Sequence, residues 1–156
     1  MKQTVTFNNS EFLPKVLKLV NDGHTVTLPL KGNSMRPFLE DGRDKALLVK
    51  ATVPHVGDPV LAIIDKHYYV LHRIVGIDGD KVTLLGDGNL TPELCTTSDI
   101  VASVQGFYRK ERSRLDAVTG IKWKAYSWIW MRLRPARRWL LAFHSHVWIP
   151  IFYKKQ

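Results

Sequence analysis

The sequence predicts a mostly β, α+β fold in which a short N-terminal helix precedes a compact antiparallel sheet or small barrel and a helical C-terminal tail follows. Five or six short strand-like segments, separated by Gly, Pro, Asn and Asp, indicate the sheet. Apolar residues at helical spacing precede these segments. Residues 109–156 combine helical periodicity with positive charge and indicate the tail.

The first predicted element is a helix over residues 10–23. Apolar residues recur along it at helical spacing, and Asn21 to Gly23 form a stop signal. Residues 24–30 then alternate like a strand and lead into the loop KGNSMRP, residues 31–37. The loop contains Gly, Asn and Ser, which ordinarily form a turn.

Five further strands are predicted, at residues 45–51, 59–65, 67–77, 81–87 and 99–109. The segment IVGIDGDKVTLL indicates a β-hairpin, because an Asp-Gly pair between two alternating runs favours a tight turn. Two helical segments are predicted after the sheet, at residues 121–134 and 136–148. Pro135 separates them, and Pro150 is expected to end the second.

A chain of 156 residues with 45% hydrophobic residues can fold as one domain with an appendage. Cys95 is the single cysteine, so no internal disulfide can form, which fits a reducing compartment. The first ten residues lack the apolar core of a signal peptide, and no run of about 20 apolar residues is available to span a membrane. We therefore expect a cytoplasmic protein that is at most peripheral on a membrane.

The net charge of +9 is unevenly distributed. Residues 1–108 carry 11 Lys/Arg and 12 Asp/Glu, a net charge of −1, whereas residues 109–156 carry 12 and 2, a net charge of +10. All five Trp residues also lie in the second part. The sequence therefore divides into a near-neutral body and a basic, Trp-rich tail.

The loop around Ser34 and the strand around His72 contain the residues best suited to chemistry. A Ser hydroxyl is a poor nucleophile unless a base takes its proton. His72 lies mid-strand among apolar neighbours, where desolvation favours the neutral imidazole that can accept a proton. Asp87, at the end of the next strand, could orient that imidazole. Each residue also has a purely structural interpretation, as a turn serine, a half-buried histidine and a turn aspartate.

Four motifs occur along the chain in the order GNSMRPFLEDGRD, VGDPVLAI, VLHRIVGI and LLGDGN. Together they resemble the serine peptidases of the LexA and signal peptidase superfamily (S24/S26). They are most similar to the endoplasmic-reticulum-type signal peptidase branch, whose base is a His rather than a Lys. The resemblance covers about residues 25–107. It implies a serine endopeptidase with a compact β fold, which acts on a peptide or protein segment without a cofactor.

The resemblance also implies roles for individual residues. Ser34 matches the nucleophile of the family's Gly-x-Ser-Met-x-Pro loop and His72 matches the base, so we expect a hydrogen bond of about 2.6–3.2 Å between them. Asp87 matches one acid and Glu93 a second. Because the turn places Asp87 at a strand end, we favour Asp87 as the polar neighbour of the pair, while the resemblance leaves Glu93 open as the direct partner of the imidazole. The loop residues expected to serve the oxyanion or to line the substrate cleft are Gly32, Asn33, Met35 and Pro37.

The chain departs from the family pattern. Arg43 takes the position of an Asp, with Asp44 one residue later; the acid turn is GDGN rather than GDNN; and the membrane helix of signal peptidases has no counterpart. Two alternatives therefore stand beside the endopeptidase: a non-catalytic peptide- or membrane-binding module on the same fold, and a LexA-type regulator that cleaves itself. About 24 residues precede the core, and they contain no DNA-binding domain, which disfavours the regulator.

Basic residues interleaved with Trp predict a contact surface in the tail. Trp prefers the bilayer interface and Lys/Arg attract anionic headgroups, so residues 121–153 could lie on an anionic membrane surface. The same residues could instead pack on the sheet or on a partner. Nucleic acid is the least favoured partner, because no recognition motif accompanies the charge. His144 and His146 are spaced wrongly for one helix face, and no metal site is predicted.

Overall fold

The structure is a computed structural model that describes residues 9–66 and 68–152. The predicted fold class is confirmed: a curled antiparallel sheet lies between a short N-terminal helix and a C-terminal helical stretch. Three predictions fall on residues outside the described ranges. They are the absence of a signal peptide in residues 1–8, the start of a strand at His67, and the end of the membrane-surface segment at Tyr153.

Helix α1 spans Asn9–Asn21 and packs its apolar side on the sheet. Leu13, Val16 and Val20 are buried at i, i+3 and i+7, the spacing of one helical face. Gly23 follows the helix with a φ of +93°, and its amide donates a hydrogen bond of 3.1 Å to the carbonyl of Val20. The helix therefore ends at the predicted stop signal, in a left-handed position that favours glycine.

Eight strands follow: β1 (Val26–Pro29), β2 (Lys45–Lys50), β3 (Pro59–Ile64), β4 (Tyr68–Asp78), β5 (Lys81–Leu85), β6 (Glu93–Thr96), β7 (Ile100–Tyr108) and β8 (Leu115–Ala117). Their order in the sheet is β1-β2-β7-β3-β4-β5-β6, with β8 also paired to β7, and all pairs are antiparallel. The predicted hairpin is β4–β5, in which Asp78 pairs with Lys81. Strands β6 and β8 were not predicted, because three or four residues are too few to show alternation.

Alternate residues of the central strands enter two different apolar clusters. In β3, Leu61 packs in a first cluster with α1, whereas Val60 packs in a second. In β4, Leu71 packs against the first cluster and Ile74 belongs to the second. Because neighbouring side chains in a strand point to opposite faces, the sheet is covered on both faces around β3 and β4. His72, in β4, is buried accordingly, at 4% exposure.

Three helices complete the described chain: α2 (Ile121–Arg132), α3 (Arg137–Phe143) and α4 (Ile149–Phe152). A 3₁₀ turn that contains Pro135 separates α2 from α3, as predicted, and a π-helical turn joins α3 to α4. The expectation that Pro150 ends the helix is wrong. Pro150 is the second residue of α4, a first-turn position where a missing amide is tolerated.

The chain continues to pack on the body after residue 108, where its composition changes. Strand β8 extends the sheet by pairing with β7. Trp123 of α2 is buried in the first apolar cluster, and its ring centroid lies 5.0 Å from that of Phe107. The first part of the basic tail is therefore continuous with the body.

Candidate active site

The loop that carries Ser34 is anchored by its own apolar side chains. Met35 is only 5% exposed and packs with Leu39 in the first apolar cluster, while Ser34 is half-buried. Gly32 has a φ of +83°, which a residue with a Cβ rarely adopts. The Met35 side chain is part of the core and thereby anchors the loop, while its expected place along the substrate cleft stays a prediction.

A buried carboxylate fixes the far end of this loop. Asp44 is fully buried and accepts hydrogen bonds of 2.9 Å from the amides of Glu40 and Lys110. Its side chain also accepts hydrogen bonds from the guanidinium of Arg43. Burial acts to raise the pKa of Asp44, but these hydrogen bonds outweigh it and lower that pKa. Asp44 therefore holds the end of the loop to the start of the tail.

The loop lies directly on the acid turn. The amide of Gly88 donates a hydrogen bond of 2.7 Å to the carbonyl of Ser34. A Cβ at Gly86 would lie 2.5 Å from the same carbonyl oxygen, and a Cβ at Gly88 would collide with the carbonyl of Asn33. Glycine at both positions of GDGN therefore permits the close approach of the Ser34 loop.

His72 is hydrogen-bonded to Glu93. The distance between Nδ1 and Oε2 is 2.7 Å, and His72 is only 4% exposed. The sheet register explains the contact. Ile74 pairs with Leu84, and Leu84 pairs with Glu93, so these side chains share one face. His72, two residues before Ile74, points to that same face.

Asp87 points to the other face, where it pairs with Arg73. Leu85 is the partner of Arg73 in the register, so Asp87, two residues later, emerges on the Arg73 side. Both Asp87 oxygens accept hydrogen bonds from the guanidinium, at 2.8 and 2.7 Å, and both side chains are fully buried. The expectation that Asp87 rather than Glu93 is the polar neighbour of His72 is wrong for this reason.

Helix α2 completes the surroundings of this ion pair. The Tyr126 hydroxyl donates to Asp87 Oδ2 at 3.1 Å, and the Trp130 indole donates to the Asp87 carbonyl at 3.2 Å. Arg73 donates to the hydroxyl of Ser127. These residues were missed by sequence reasoning. The sequence shows their helical spacing, but only the tertiary structure shows that they cover the Arg73–Asp87 pair.

Ser34 and His72 do not bond to each other. The register of β4 with β5 ends at Arg73 and Leu85, and Gly86, the next residue, lies beneath the Ser34 carbonyl. The predicted hydrogen bond is not formed. Within residues 9–66 and 68–152, neither Ser34 Oγ nor His72 Nε2 has a hydrogen-bond partner, and the Ser34 amide has none either.

The environment keeps the His72 imidazole neutral. Burial lowers its pKa, and the charge and hydrogen bond of Glu93, with the more distant charge of Asp87, offset this only in part. In the neutral ring, an Nδ1 that donates to the Glu93 carboxylate leaves the lone pair on Nε2. The ring is therefore able to accept a proton at Nε2 near neutral pH.

A groove of about 400 Å³ runs beside Glu93, and its lining residues are Gly88, Asn89, Leu90, Thr91 and Glu93. It lies between the acid turn and β6, the last strand at this edge of the sheet. The four loop residues expected to serve the oxyanion or the substrate are not part of this lining.

Cys95 is not suited to be a nucleophile. Burial, with the charges of Asp99 and Glu93, raises the pKa of its thiol to about 11, so the reactive thiolate is scarce at neutral pH. Among the described residues, no group of three or more His, Cys, Asp or Glu side chains is arranged to hold a metal ion.

The tail has Trp residues that pack on the body and Trp residues that are exposed. Trp123 and Trp130 are buried against the body, whereas Trp128, Trp139 and Trp148 are exposed. Of the helices in the described part of the chain, none has the length and apolar character needed to cross a membrane.

Comparisons with known proteins do not identify a family. No family model matches the chain, and no curated protein matches its sequence. The function must therefore be inferred from the residues and their geometry.

Proposed function

We propose that this protein is a serine endopeptidase in which Ser34 is the nucleophile, His72 the general base and Glu93 the residue that orients the imidazole. The observation that carries the proposal is the 2.7 Å hydrogen bond between His72 Nδ1 and Glu93 in a buried site, with the Ser34 loop seated on the acid turn that follows β5, the strand paired with β4. A buried His that is held by a carboxylate is the base and its orienting group, and a hydrogen bond from Ser34 Oγ would complete the activated nucleophile.

The proposed reaction uses these groups in sequence. Ser34 Oγ attacks the carbonyl carbon of the scissile peptide bond while His72 Nε2 takes the hydroxyl proton. The imidazolium, stabilised by Glu93, then gives this proton to the leaving amine. Water, deprotonated by His72, hydrolyses the acyl-enzyme and releases Ser34.

Backbone groups supply the other requirements of acyl transfer. The Ser34 amide, without a hydrogen-bond partner among the described residues, is a candidate donor to the oxyanion of the tetrahedral intermediate. The groove beside β6 borders a sheet edge, where an extended peptide could add as a further strand. The substrate class that fits is an extended segment of a peptide or protein.

A non-catalytic binding module is the second candidate. The observation in its favour is that Ser34 Oγ and His72 Nε2 do not bond to each other in residues 9–66 and 68–152. Catalytic hydrogen bonds are often long before substrate binds, so this geometry does not exclude the endopeptidase.

Covalent labelling separates the two functions. An alkyl fluorophosphonate should phosphonylate the wild-type chain at Ser34, with loss of fluoride, and peptide mapping by mass spectrometry should locate the adduct. Ser34→Ala should abolish labelling, and His72→Ala should slow it by about 10²–10⁴-fold, the usual contribution of a general base.

Ser113→Ala is the matched control, because Ser113 is exposed in the loop before β8. This variant should label at the wild-type rate. If the wild-type chain stays unlabelled while correctly folded, the binding module replaces the endopeptidase.

A further inference from the structure

The C-terminal helices expose large apolar side chains. In α2, the buried residues Trp123, Ser127 and Trp130 form one face, and at 100° per residue Trp128 and Arg132 lie opposite. Both sides of α2 therefore carry Trp, although only one side is buried. The other side combines an exposed Trp with an exposed Arg.

The exposed apolar residues continue beyond α2. We define the outer face as the exposed large apolar side chains of α2 to α4: Ile121, Trp128, Ile129, Leu133, Trp139, Phe143, Val147, Trp148, Ile151 and Phe152. Trp139 is the most exposed Trp of this set, at 76%. Single exposed apolar residues are ordinary, but a concentration of this kind in one helical segment marks an interaction surface.

The charge around this face has one sign. Residues 117–152 contain six Lys/Arg and no Asp/Glu. Five of the six are exposed, and the guanidinium of Arg132 lies 4.3 Å from the ring centroid of exposed Trp128. The complementary surface is therefore anionic and at the same time able to bury aromatic and aliphatic side chains.

A lipid bilayer with anionic headgroups meets both requirements. Trp side chains favour the interface between headgroups and acyl chains, and Lys and Arg favour anionic lipids. A nucleic acid would use the Trp rings for stacking but would gain nothing from Ile129, Leu133 and Ile151. Short helices with mixed basic and aromatic surfaces lie in the plane of the interface.

We infer that the outer face docks the protein on an anionic membrane surface. The inference does not depend on peptidase activity, since it rests on the helices alone.

Vesicle binding by the full chain tests the inference. The purified protein should co-sediment with phosphatidylcholine vesicles that contain phosphatidylserine, and much less with phosphatidylcholine alone. Added salt should weaken the binding, because it screens the Lys/Arg charges. The double variant Trp139→Ser, Trp148→Ser should bind about tenfold or more weakly, whereas Val53→Ser, at an exposed apolar position outside the face, should bind normally.

A charge reversal provides an independent variant in case the Trp substitutions disturb folding. Arg134→Glu with Arg138→Glu should reduce binding to anionic vesicles, and Lys81→Glu, on β5, should have little effect. Ser34→Ala should bind as the wild type does, so a failure of the peptidase proposal leaves this result unaffected.

Two outcomes would overturn the inference. One is equal or absent binding to vesicles with and without phosphatidylserine. The other is a dimer in sedimentation velocity that the Trp139→Ser, Trp148→Ser variant converts to a monomer, together with no vesicle binding. That result would assign the outer face to a second copy of the chain.

Discussion

At the residue scale, two neighbouring residues of the GDGN turn have different roles. Gly86 makes room for the Ser34 loop, while Asp87 turns to Arg73. Glu93 returns to the His72 face through the pairing of β6 with β5. The carboxylate nearest in sequence to the strand end is therefore structural, and the later one contacts the imidazole.

The pH dependence of labelling should report the protonation of His72. Since burial lowers its pKa, the acid limb of the fluorophosphonate rate should have its midpoint below the ordinary imidazole value of about 6.5. Glu93→Gln removes a charge that raises this pKa, so the midpoint should move to still lower pH. Labelling reactions quenched at fixed times over a series of pH values give the midpoints of the wild type and of Glu93→Gln. A rate that rises only above about pH 8 would indicate a Lys base instead.

Neutralising Asp87 and neutralising Glu93 should have different consequences. Asp87→Asn leaves the buried Arg73 without its counter-charge and should lower the free energy of unfolding by about 3–5 kcal/mol. Glu93→Gln, at a half-buried position, should slow labelling with a smaller loss of stability, because the imidazole loses its orienting carboxylate.

Urea unfolding and labelling rates, measured on the same samples, separate the two effects. Asp78→Asn, exposed at the end of β4, is the control and should change neither. Equal stability losses for the Asp87 and Glu93 variants would contradict these assignments.

At the element scale, α2 is a part of the site rather than an appendage. Three of its side chains hydrogen-bond to the Arg73–Asp87 pair, and the Arg73 guanidinium lies 4.5 Å from the ring centroid of Trp123. The helix thereby covers a fully buried ion pair that would otherwise face solvent. Since Arg73 follows His72 directly and Asp87 follows Gly86, α2 supports both sides of the proposed site.

Removal of one hydrogen bond from α2 should destabilise the chain measurably. Tyr126→Phe deletes the donor to the Asp87 carboxylate and should cost about 1.5–3 kcal/mol, the range for a hydrogen bond to a charged group. Tyr68→Phe, at an exposed Tyr on β4, should be close to neutral. Chemical unfolding measures both. A neutral Tyr126→Phe would show that the hydroxyl does not hold the turn.

At the scale of the whole molecule, the basic tail has a buried part and an exposed part along its length. Its first helix packs on the body, where Trp123 and Trp130 are buried, and its later helices expose Trp139 and Trp148. Packing on the body thus accounts for the first helix of the tail, and the membrane surface stays a proposal for the exposed residues of the later helices.

Two truncations should distinguish these segments. A chain that ends at Thr119 loses the buried Trp123 and Trp130 and should unfold or aggregate, because loss of a buried Trp side chain alone costs about 3–5 kcal/mol. A chain that ends at Arg138 keeps α2 and should remain folded and react with the fluorophosphonate, but lose binding to anionic vesicles. For both truncated chains, circular dichroism measures folding, the fluorophosphonate rate measures reactivity, and co-sedimentation measures vesicle binding. Normal folding of the shorter chain would contradict the role of α2.

The sequence by itself determined the α+β class, α1, six of the eight strands, the β4–β5 hairpin and the identities of Ser34 and His72 as candidate site residues. The helix, strands and hairpin follow from local periodicity and turn chemistry, which depend on neighbouring residues only, whereas the two site residues were singled out by the ordered motifs and the family that they resemble. The tertiary structure alone decided that Glu93 contacts His72 while Asp87 pairs with Arg73, and that α2 covers that pair. These contacts join residues 14 to 39 positions apart, and strand register and sheet face, rather than any local pattern, determine which side chains meet.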